Sequence, residues 1–164
     1  MDAGRAAGRG EGQALVFART NLGRPDGTAR QSVELAFGAR QGEDGATLPA
    51  LRLGASWGRG LETRWGPGWI ALDGSATGYG SLAHAAEEGL ALKLDTTLGV
   101  RPGEHSMVTL QVFWSRSGDE EAALRVVPSY ARRLRGETFG QVGIVVGTGA
   151  APDLGIKFGL FREF

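Results

Sequence analysis

Residues of alternating polarity recur along almost the whole chain, and no other feature restricts the fold as much. Successive side chains of a strand point to opposite faces, whereas a helix repeats every ~3.6 residues. In "LALKLDTTLGVR", Leu90, Leu92, Leu94, Leu98 and Val100 share one face with Thr96, and Ala91, Lys93, Asp95, Thr97, Gly99 and Arg101 share the other. "MVTLQVFWS" sets Val108, Leu110, Val112 and Trp114 against Thr109, Gln111, Phe113 and Ser115. The same pattern runs through "SVELAFGAR", "LRLGASWG", "WIALDGSATGY", "LRVVPSYARRL", "VGIVVG" and the terminal "LGIKFGLFREF". "ALVFART", residues 14 to 20, is a weaker ninth strand whose two faces the pattern does not distinguish. Turn-forming runs separate these segments: "GRPDG", "GEDG", "RPGE", "RSGDEE", "RGET" and "GAAPD". The longest connection, "GYGSLAHAAEEG" (78 to 89), reads as a loop. Regular spacing predicts an all-β fold, an antiparallel up-and-down meander barrel of about eight to ten strands. Residues 14–164 form this barrel domain, and residues 1–13 a flexible N-terminal segment.

Two arrangements satisfy such a meander. A soluble lipocalin-like barrel buries its large apolar residues around a hydrophobic ligand, whereas a membrane barrel turns them to lipid and keeps polar residues in the lumen. The composition of the polar face discriminates between them. Glycine makes up 28 of 164 residues, against a usual ~7%, and Gly38, Gly54, Gly58, Gly99, Gly143, Gly147, Gly155 and Gly159 all fall on that face. Glycine weakens a strand at a water-facing surface, but side chains converging on the axis of a narrow barrel must be small. The charges on the same face balance in sign: Glu34, Asp73, Asp95 and Glu163 against Arg52, Lys93, Arg125 and Lys157. The expectation is therefore a polar lumen with a paired charge network. The apolar face carries Trp57, Trp114 and Phe164 near strand ends, where an interfacial girdle belongs.

Further classes are excluded more simply. Basic and acidic residues are equal at 18 each, so nothing suggests electrostatic capture of nucleic acid. Cysteine is absent, which removes disulfides, thiolate nucleophiles and cysteine-bound zinc. No apolar run reaches the ~18 residues of a transmembrane helix, and "MDAGRAAGRGEGQ" lacks the apolar core of an export signal.

The terminal segment, with Ile156, Phe158 and Leu160 alternating ahead of Phe164, resembles the last strand of bacterial outer-membrane β-barrel proteins. More narrowly, "LRLGASWGRGLETRWGPGWIALDGSA", "LKLDTTLGVRP" and "DLGIKFGLFREF" resemble an uncharacterised family of alphaproteobacterial barrel proteins, over residues 12 to 164. Arg162 departs from the pattern, which usually carries an apolar or aromatic residue there. The resemblance implies a location in the Gram-negative outer membrane, lipids as neighbours, and recognition of the C-terminal strand (Ile156, Phe158, Leu160, Phe164) by the barrel-assembly machinery. It implies no activity. It also implies a periplasmic C-terminus, which puts nine strands at odds with the even counts usual in bacterial barrels. Either "ALVFART" lies outside the barrel, or an export signal and further strands precede it, as they do in the family.

Candidate chemistry is sparse. His105 adjoins Ser106, but neighbours on a strand face opposite ways, which disfavours a nucleophile–base pair. His84 with Glu87 and Glu88 reads as a solvated loop rather than a metal site. Asp73 and Asp95 are of the type that forms a catalytic carboxylate pair, yet Lys93 and Arg125 on the same face favour a structural network. Arg132, Arg133 and Arg135, near the "RGET" turn, suit either the phosphates of inner-leaflet lipids or a simply hydrated barrel rim. No enzyme activity and no cofactor or metal is expected. The sequence predicts an outer-membrane barrel with a structural, surface or small-solute-passage role, the alternative being the soluble ligand-binding barrel.

Overall fold

The computed structural model describes residues 13–23, 28–41, 47–80, 90–149 and 153–162. These form nine strands: β1 (Gln13–Leu22), β2 (Ala29–Gln41), β3 (Thr47–Thr63), β4 (Gly66–Tyr79), β5 (Leu90–Gly103), β6 (Ser106–Ser117), β7 (Ala123–Arg135), β8 (Thr138–Thr148) and β9 (Leu154–Arg162). Each pairs antiparallel with the next in chain order, giving a single up-and-down sheet. The described residues contain no helix. At one end of the sheet the connections are tight, and glycine makes two of them possible. Gly66 (φ 120°) and Gly136 (φ 54°) hold backbone conformations that side chains disfavour.

"ALVFART" is a full member of the sheet, so the alternative that it lies outside is not met. Its register against β2 also fixes its facing: Arg19 stands opposite Glu34, and Val16 opposite Phe37. Directly opposed residues share a face, so parity can be followed round the molecule. Glu34 leads through Gly54, Ser75, Lys93 and Ser115 to Ala123. Leu35 leads through Leu53 and Ala76 to Leu92 on the other face.

Burial shows which face is inside. Ser32, Ala36, Thr77, Ala91, Thr109, Ser129 and Ala131 are buried, while Leu35, Leu53, Leu94, Val108, Val142 and Ile144 are exposed. The small and polar face is therefore concave and the large apolar face convex. Curvature follows from the packing, since Trp69 on β4 and Phe161 on β9 meet the same cluster of Met107, Ala131 and Phe139.

Among the described residues the sheet is not closed, because β1 and β9 form its two unpaired edges. Phe17 points inward with Arg19 yet is 60% exposed, since among the described residues no strand pairs with the far side of β1. The ladder between β7 and β8 omits Val127 and Pro128, since proline has no amide hydrogen to donate.

Candidate functional site

The interior divides into two regions. Towards the tight turns it is apolar. Phe139 is 1% exposed and stacks on Phe161 with ring centroids 5.3 Å apart and planes within 5°. Met107 and Ala131 pack beside it, and Trp69 completes the cluster. Trp69 lies over Gly99, its direct partner across the β4–β5 ladder, where any side chain would collide with the indole ring. The guanidinium of Arg133 sits 5.3 Å over the Phe139 ring and reaches Glu137 at 3.6 Å. These side chains form an apolar cluster on the concave face at the turn end of β4 to β9.

Further along, the interior is polar. Arg52 Nη2 donates to Glu34 Oε1 at 2.6 Å. Arg19 Nε donates to Ser32 Oγ at 2.9 Å, and its Nη2 to Ser56 Oγ at 2.8 Å. Lys157 Nζ on β9 donates to Gln111 Oε1 on β6 at 3.1 Å, so the curved sheet brings together side chains three strands apart. Near the opposite end, Arg125 pairs with Asp153 at 3.2 Å. Gly147 makes room for this, since a side chain there would overlap the Asp153 carboxylate.

The expected charge network is thus assembled differently in detail. Glu34, Arg52, Asp73, Lys93, Asp95, Arg125 and Lys157 all lie on the concave face, and among the described residues Glu34 and Arg52 are the expected members that form an ion pair with each other. Asp73 and Asp95 stand directly opposite, with Lys93 two residues from Asp95 on the same strand face. Arg125 and Lys157 take Asp153 and Gln111 as partners, because distance around a curved sheet, not sign balance, selects them. Glu163 and Phe164 lie outside the described residues, as do His84, Glu87 and Glu88.

Alternation alone does not single out Arg19, Gln111 or the cluster residues Trp69, Met107, Phe139 and Phe161. Arg19 is hidden because both faces of "ALVFART" carry apolar residues. The cluster aromatics have the parity of the polar face, and that parity is the one signal that points to them.

His105 sits in the exposed β5–β6 turn, where its carbonyl accepts from the Arg133 amide at 2.9 Å. Ser106 Oγ instead bonds the Tyr130 hydroxyl at 3.2 Å on the convex face. No group of three metal-ligating side chains occurs among the described residues.

On the convex face, Trp57 and Trp114 project outward with Leu72 and Leu94 as ladder partners. Ile156, Phe158 and Leu160 of β9 are 70%, 77% and 75% exposed. The charged residues on this face of the described strands are Arg59, Arg116, Arg132, Arg135 and Arg162, all arginine. The chain matches no family model, no curated protein and no solved structure.

Proposed function

We propose that the chain is a bacterial outer-membrane β-barrel protein with a structural or surface role, its lumen plugged at the turn end. One observation carries this reading: the side chains are inverted with respect to a water-soluble fold. Leucine, isoleucine, valine and phenylalanine crowd the convex face while glycine, serine and threonine are enclosed. Soluble monomers rarely expose contiguous apolar patches larger than a few hundred Å², whereas lipid requires such a surface. A soluble barrel holding an apolar ligand would need the reverse distribution, with large apolar side chains lining the concavity. The exposed alternation of Ile156, Phe158 and Leu160 suits capture of β9 by the barrel-assembly machinery.

Passage of small solutes is less well supported, because Phe139, Phe161, Met107 and Trp69 cluster at the turn end. The test has two parts. Refolding should give β structure and a single species only in detergent or bilayers; a folded, monodisperse protein in plain buffer would overturn the membrane reading. Planar-bilayer recordings should show no current, and steady conductance would replace the plugged barrel with a channel.

A further inference from the structure

We propose that the groove crossing β7, β8 and β9 on the convex face binds one anionic phospholipid, with its phosphate on Arg132 and an acyl chain laid against Leu134, Val142 and Phe158. The proposal rests on the membrane reading above and names the lipid that this surface would select. The groove is shallow and open along its length, with a volume of about 650 Å³. Two ladder rows build it: Tyr130, Val142 and Phe158 stand side by side, and Arg132, Gly140 and Leu160 form the row nearer the turns. Gly140 stands between two larger neighbours, and the Leu134 side chain lies over it, 3.0 Å from where a Cβ would stand, so that Leu134 walls one side of the groove. The floor is thus apolar.

Its polar end is supplied by Arg132, which is exposed and has no ionic partner among the described residues. The nearby Tyr130 hydroxyl is held by Ser106. A guanidinium fork matches a phosphate's oxygens, and its aliphatic stem can lie on apolar surface. Charge complementarity selects the occupant. The charged residues facing outward on these strands are all arginines, and Arg59, Arg132 and Arg135 lie towards the turn end. A second copy of the chain would set arginine against arginine, whereas an anionic headgroup supplies a counter-charge to Arg132.

Native mass spectrometry of the protein refolded in detergent with phosphatidylglycerol, phosphatidylcholine or diacylglycerol tests the proposal. One phosphatidylglycerol should remain bound in preference to the other two, and inorganic phosphate should not displace it. Arg132→Gln should weaken retention about fivefold. Gly140→Leu, which forces Leu134 off Gly140 and into the groove, should abolish retention, whereas Arg116→Gln at the opposite rim should leave it unchanged. Far-ultraviolet dichroism in the same detergent reports folding separately. A folded barrel that retains phosphatidylglycerol no better than diacylglycerol or phosphatidylcholine overturns the lipid site and leaves the membrane reading standing. So does unchanged retention in folded Arg132→Gln and Gly140→Leu. Folding in plain buffer overturns the membrane reading itself.

Discussion

Glu34 and Arg52 meet at 2.6 Å on adjacent strands, with side chains only 19% and 32% exposed. Each charge has left much of its water, so the pair matters chiefly through what happens when one member is removed. Glu34→Gln leaves the guanidinium of Arg52 facing the concavity without its counter-charge. The expected cost is about 2 kcal/mol, read from urea unfolding in micelles. Adding Arg52→Met to that variant should recover part of the loss; an additive double variant would show that the two side chains act independently. Gly99 illustrates the same scale from the opposite side. Its lack of a side chain is the reason Trp69 can lie flat across the neighbouring strand, and its place on the polar face is legible from alternation alone.

At the scale of a single strand, the medium that covers the convex face sets the cost of a substitution. In β8, Ile144 points outward at 52% exposure and stands opposite Ile156 on β9. Were the convex face in water, Ile144→Arg would change stability by no more than about 0.5 kcal/mol. In a bilayer, a charge near mid-strand costs about 2–4 kcal/mol. Refolding titrations of Ile144→Arg in lipid vesicles should give the larger figure, and a change near zero would argue that β8 does not face hydrocarbon. The alternation that marks β8 as a strand says nothing about this, because two faces of opposite polarity serve either medium equally well.

For the molecule as a whole, the open seam is the main consequence of topology. Nine strands in an up-and-down order leave β1 and β9 running in the same direction, so the two edges cannot pair with each other antiparallel. Their outer backbone groups therefore lack ladder partners among the described residues. Amide hydrogen exchange in micelles should be fastest along β1 and β9 and slowest in β4 and β5, whose both sides are paired. Equal protection of β1, β9 and β5 would mean that the edges are covered.

The nine strands, their order and the composition of both faces are readable from the chain, because a period of two is a local property and the connections are short. The inward facing of β1 needs the register against β2, since Leu15, Val16 and Phe17 place apolar residues on both parities. The partners of Arg125 and Lys157, the cluster around Phe139 and the groove at Gly140 need curvature. Residues brought together across a bent sheet can lie far apart in the chain, as Gln111 and Lys157 do, and no local periodicity records how sharply the sheet bends.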